Sequence, residues 1–175
     1  MTSFRGDGQD CQRVDYALLQ NGAVTLYWRP AYLDEDVAWL TAHGYAVHHF
    51  NAASWRSEAD MHADLARNLA FPDHYGRNLD ALNDSLSDLN LPVEGGMAIV
   101  LVRFDAFAQR CHDVAQQVLD IAERVSRRYL LSGRRFLILV QSDDPQIEFE
   151  PLGAVSANWN HREWLNTSRE PKQAT

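Results

Sequence analysis

Two uninterrupted apolar runs, Met97 to Val102 and Phe136 to Val140, restrict this chain more than any other feature. A strand with one wet face alternates apolar and polar residues. A continuous run has both faces covered, which is the pattern of a parallel sheet lying between helices. Parallel neighbours need a long crossover, and the sequence supplies one. His112 to Leu131 carries Val114, Val118, Ile121, Ala122, Val125 and Tyr129 on one helical stripe, and Gly133 follows as a terminator. A similar unit precedes it. Ala23 to Trp28 reads as a strand ended by Pro30, and Leu33 to Ala42 as a helix with Leu33, Val37 and Leu40 on one face. Gly44 stops that helix, and Tyr45 to Phe50 forms the next strand. The expected fold class is α/β, with a parallel sheet of three or four strands packed with helices in two or three layers.

Between these units the spacing predicts a helix over Ser57 to Ala70, with Met61, Leu65 and Leu69 stacked at steps of four. Phe71-Pro72 breaks it, because proline disfavours helical geometry in the residue before it. The polar loop Asp73 to Arg77 leads to another helix, Asn78 to Asn90, with Asn78 as its cap. It ends before Pro92 and the Gly95-Gly96 turn. Beyond the second apolar run an edge strand is expected at Ile147 to Phe149, with Trp159 and Trp164 as anchors and a frayed end from Asn166. Met1 to Tyr16 reads as a loose lead-in. A length of 175 residues suits one domain, and no repeat, low-complexity tract or linker divides it.

No apolar run approaches the roughly 20 residues that span a bilayer. Met1 to Gln12 is polar and lacks the apolar core of a signal peptide, so a cytoplasmic location is expected. Cys11 and Cys111 are then expected as free thiols, and two cysteines offer no zinc-finger spacing. The formal net charge is −8. That opposes tracking of nucleic-acid phosphates and favours either a cationic partner or plain solubility.

The acids prove to be grouped. In the helix Asn78 to Asn90, Leu79, Leu82, Leu86 and Leu89 keep a three-four spacing and face the core, while Asp80, Asp84 and Asp88 recur every four residues on the other side. Like charges four apart on a helix repel, by roughly 0.2–0.5 kcal/mol per pair. The helix dipole relieves only Asp80, in the first turn. No lysine or arginine follows three or four residues later. A solvated acidic face has this pattern, and so does an interface. The preceding His74, Tyr75 and Gly76 favour the interface, since aromatics beside charges on a rigid edge have the makeup of a binding hot spot.

Residues Leu69 to Leu86, read as Leu-Ala-Phe-Pro-Asp-His-Tyr-Gly-Arg-Asn-Leu-Asp-Ala-Leu-Asn-Asp-Ser-Leu, resemble the signature of the barstar family. That pattern is a helix end, then Leu-Pro-acid-aromatic-Tyr-Gly-x-Asn-Leu-Asp-Ala-Leu-x-Asp opening a second helix. The similarity extends from about Tyr45 to Gln141, which leaves a βα extension at about residues 17–44 and a tail at 142–175. The resemblance implies a barstar-like fold and an intracellular inhibitor, an immunity protein or antitoxin, that binds a cationic ribonuclease one to one. By position, Asp80 and Asp84 would replace RNA phosphates, Gly76 and Asn78 would set the loop, and His74 and Tyr75 would supply contact area. Asn83 and Asp88 complete the expected surface. His74 and Asn83 stand where the family often has aromatic or large apolar residues. An acid that the family uses on the long helix falls at about Arg124, with Glu123 beside it as the candidate contact. Neither catalysis nor a cofactor or metal is implied.

Other constellations leave alternatives open. His74, Asp80 and Asp84 are residue types able to hold a divalent ion or to serve a small acid–base enzyme. An adaptor binding another cationic protein is a third reading. His48 and His49 end a strand, one toward the core edge and one toward solvent. Gly95-Gly96 precedes a strand, so it is not a phosphate loop. Arg124, Arg127, Arg128, Arg134 and Arg135 form a basic patch that suits the end of the long helix.

Overall fold

A computed structural model describes residues 13–170. In chain order the elements are α1 (Val14–Leu19), β1 (Val24–Tyr27), α2 (Pro30–Ala42), β2 (Tyr45–Asn51), α3 (Glu58–Asn68), α4 (Leu79–Ser87), β3 (Gly96–Val102), α5 (Phe104–Arg110), α6 (His112–Leu131), β4 (Phe136–Gln141) and β5 (Asn158–Trp159). The strands form one parallel sheet in the order β2-β3-β4-β1-β5.

The apolar runs do what their composition requires. Met97, Ile99 and Leu101 of β3, with Phe136, Ile138 and Val140 of β4, face a core built with α3, α4, α5 and α6. The alternate residues Ala98, Val100, Leu137 and Leu139 face a second core with Leu18 of α1 and Leu33 and Leu40 of α2. Both faces of the central strands are covered, so the architecture has three layers.

The sheet has five strands rather than three or four. The fifth, β5, pairs Thr25 with Asn158 and Leu26 with Trp159. A two-residue strand has no alternation to read, and only tertiary pairing makes it one. Ile147 to Phe149 is not a strand; Ile147 and Phe149 pack as half-buried loop residues against the α3–α6 core. The helix after β1 starts at Pro30, where proline suits the first helical position. Two short helices are added: α1, which begins in the segment expected to be a loose lead-in, and α5, between β3 and α6, where the sequence pattern predicts no element. The lead-in residues 1–12, including Cys11 and the region compared with a signal peptide, lie outside the described residues, as does the end of the tail from 171. Cys111 is a free thiol.

Three buried acids join the extension and the tail to the rest. Asp15 accepts from Tyr45 Oη at 2.6 Å and pairs with Arg13 and Arg135. Asp36 accepts from Tyr27 Oη at 2.7 Å and Asn160 Nδ2 at 3.0 Å, and pairs with Arg162 at 2.7 Å. Glu163 accepts from the amides of Trp28 and Arg29, each at 2.9 Å, where β1 turns into α2. A buried carboxylate is tolerable only when paired and hydrogen-bonded in this way. Among the described residues no helix is long and apolar enough to cross a membrane.

Candidate functional site

The α3–α4 connection is shaped by its caps. Ser57 Oγ accepts from the Asp60 amide at 3.3 Å, which starts α3. Asn78 Oδ1 accepts from the Ala81 amide at 2.8 Å, which starts α4. Both helices are shorter than the spacing predicts. α3 stops at Asn68, and Ala70 then adopts a left-handed φ of 52°. Arg77, at φ 50°, makes the second such turn just before the Asn78 cap. Gly76 has no such backbone. A Cβ there would stand 3.2 Å from Asn78 Nδ2 and 3.4 Å from Ala81 Cβ, so a larger residue would press on the capping side chain.

Between the two turns, Tyr75 is the fixed point. Its ring packs on Phe71 at 4.9 Å between centroids, and its hydroxyl lies 2.6 Å from Nδ1 of His62. His62 is wholly buried, and its Nε2 lies 3.2 Å from Glu58 Oε1. A carboxylate only accepts, so Nε2 carries a proton and donates to Glu58, while Nδ1 and the phenol share the second hydrogen bond. Burial, with the Glu58 charge adding and Arg77 opposing, pushes the Tyr75 phenol up to about 12. It stays protonated at neutral pH.

The leucines divide as the spacing predicts: Leu82 and Leu86 of α4 are buried, while Leu79 and, just past the helix end, Leu89 are half-buried against the same core. Asp80, Asp84 and Asp88 are exposed on the opposite side. The structure gathers His74, Tyr75, Gly76, Asp84 and Asp88 around one open hollow of about 270 Å³ between the loop and α4. Asp80 stands outside that hollow, in the first turn. Asn83 is half-buried and tied sideways. Its Nδ2 donates to Asp84 Oδ1 at 3.2 Å, while its Oδ1 accepts from Arg128 Nη2 at 2.9 Å.

Glu123 corrects an expectation. Only 2% exposed, it is no surface contact. Its Oε2 accepts from the Ala23 amide at 2.6 Å and its Oε1 from Arg127 Nε at 3.3 Å, so it secures the start of β1. Arg124 is exposed and pairs with Asp120 at 3.1 Å. Much of the expected basic patch is structural. Arg134 donates to the Leu91 carbonyl at 2.8 Å, and Tyr129 Oη lies 2.8 and 3.0 Å from the carbonyls of Leu86 and Leu89.

The described residues include no group of three or more His, Cys, Asp or Glu side chains arranged to hold a metal ion. His74, Asp80 and Asp84 are therefore not drawn into a ligand set. His62 escapes a reading of the sequence, and Arg128 is read there only as part of the basic patch; their contacts with the loop and α4 span 13 and 45 residues. His62 does leave a signal, as a polar residue on the apolar stripe of Met61, Leu65 and Leu69.

A family model described as Barstar (barnase inhibitor) matches residues 45–141, more than half of the chain. A protein of Bacillus subtilis (strain 168), named "Putative ribonuclease inhibitor YrdF", is 39% identical over 64 residues. The match covers 36% of this chain and 66% of that protein, just under two thirds of its length. β1, α2 and β5 lie outside the family match, whereas the loop, α4 and α6 lie within it.

Proposed function

The chain belongs to the barstar family, and from that premise we propose that it inhibits a ribonuclease by presenting the 71–78 loop and the acidic face of α4 to the enzyme's cationic substrate groove. The observation that carries this reading is the display of Asp80, Asp84 and Asp88 on the exposed side of a helix whose opposite side is locked into the core. A ribonuclease must attract phosphate, so its groove is positive before RNA arrives. Carboxylates held on a folded helix meet that charge without first being ordered, which favours both encounter and affinity.

Asp80 and Asp84 stand in for phosphates, and Asp88 extends the negative field. His74 and Tyr75 supply contact area, Gly76 and Asn78 shape the approach, and Asn83 orients Asp84. The protein acts by binding one to one, as an immunity protein or antitoxin in the cytoplasm, and not as an enzyme. The name of the Bacillus subtilis relative supports ribonuclease inhibition in general.

An RNA cleavage assay with a panel of guanyl-specific microbial ribonucleases tests this. Titration against an inhibited member should reach full inhibition at one equivalent, and affinity should fall with added salt. Asp84→Ala should weaken binding about 10- to 100-fold, the scale of a charged hydrogen bond lost. Uninhibited cleavage by every member would end the reading in this form.

A further inference from the structure

The acidic face does not stand alone on its side of the molecule. Arg128, on α6, lays its guanidinium across α4, with Nη2 2.9 Å from Asn83 Oδ1 and 2.7 Å from Ser87 Oγ. Both acceptors are neutral, and among the described residues no carboxylate pairs with it. Asn83 in turn donates to Asp84 at 3.2 Å, so a formal cation sits one amide away from the central acid. One turn earlier on α6, Arg124 is exposed and paired only along its own helix, with Asp120 at 3.1 Å.

Two exposed arginines four residues apart repel each other. Arg128 lies in the last turn of α6, where the dipole favours a cation, but Arg124 lies outside it. The dipole suits Arg128 and the i,i+4 pair with Asp120 suits Arg124, but neither requires Arg128 to reach across to α4. The two hydrogen bonds from Arg128 to α4, although exposed, fix the position of the charge beside the acidic face.

We infer that the recognition surface is bipolar, with Arg128 and Arg124 as a cationic margin beside the acidic face, and that the partner ribonuclease carries a carboxylate opposite them. This rests on the inhibitor reading above and narrows the partner it fits. A nuclease whose groove margin is cationic throughout would meet like charge here, and like charges facing each other across an interface are strongly unfavourable. Arg128 and Arg124 thus select among nucleases, while Asp80 and Asp84 bind the feature all of them share.

The test uses the panel ribonuclease that the wild-type chain inhibits most tightly. Dissociation constants are measured for Arg128→Glu, Arg128→Gln, Arg124→Glu and, as a reference, Asp84→Ala, with circular dichroism and urea midpoints reporting the fold. Both charge reversals should weaken binding about tenfold or more, and Arg128→Gln less than Arg128→Glu. If Arg128→Glu does not fold, Arg124→Glu carries the test, because its ion pair with Asp120 leaves α4 untouched. Reversals that leave binding unchanged or tighten it, while Asp84→Ala still weakens it, overturn the bipolar surface and leave the inhibitor reading intact. Absence of any inhibited panel member overturns both.

Discussion

The phenol of Tyr75 reaches a ring nitrogen of His62, thirteen positions earlier, and through it a carboxylate of Glu58. The shape of the loop thus depends on a side chain that the loop does not contain. Tyr75→Phe keeps the ring packing on Phe71 and removes only the hydroxyl, which leaves the buried Nδ1 of His62 without its partner. The expected cost is about 1–3 kcal/mol, read as a lower urea midpoint at an unchanged m-value. The acids of α4 behave oppositely. Exposed and repelling one another, they contribute nothing to the core, so Asp84→Ala should leave the urea midpoint nearly unchanged while it weakens inhibition. The two substitutions separate a residue that shapes the surface from one that meets the partner.

At the scale of elements, α4 connects local chemistry to the site. Its nine residues are few for an isolated helix, and the Asn78 cap supplies one of the few local reasons for it to begin where it does. Asn78→Ala should cost about 1 kcal/mol. Because the same side chain sits against Gly76, it should also raise the dissociation constant for an inhibited ribonuclease. Thermal unfolding and inhibition measured on one sample check both. The elements legible from sequence are those whose pattern is long: the doubly covered β3 and β4, the α6 stripe, and α4 with its opposed leucines and aspartates. α5 is seven residues long and opens after Arg103 in a left-handed turn, too short for its Phe104–Phe107 spacing to stand out. β5 exists only through β1. Within the site, the acidic face and its loop were legible because both are local. Arg128 and the burial of Glu123 were not, because each depends on which flank of α6 meets α4 or β1.

Over the whole molecule, charge buried at the joins sets the pH range of stability. Burial by itself would raise the Asp15 carboxyl, but hydrogen bonds from Arg13 and Tyr45 and the charges of Arg13 and Arg135 outweigh it, and the net shift is downward. Its contribution is present above the ordinary value of 3.8 and is lost as pH falls through the lower folded value. Tyr27, Tyr45 and Tyr75 shift upward, chiefly by burial and then by neighbouring carboxylates. Their contribution is present below the ordinary value of 10.0 and is lost as pH rises through the folded values. Urea midpoints across pH should therefore hold level between these limits, then drop below about pH 4 and above about pH 10.

The pairing of β1 with β4 also fixes an order of events during synthesis. Val24 lies against Ile138, more than a hundred residues later. Ribosomes add roughly 5–20 residues per second, so the first strand made waits on the order of ten seconds for its neighbour. Until β4 emerges, Val24 and Leu26 have no sheet to join, and the nascent chain carries an unpaired apolar strand. The loop and α4, which belong to the middle of the chain, are complete well before that strand docks.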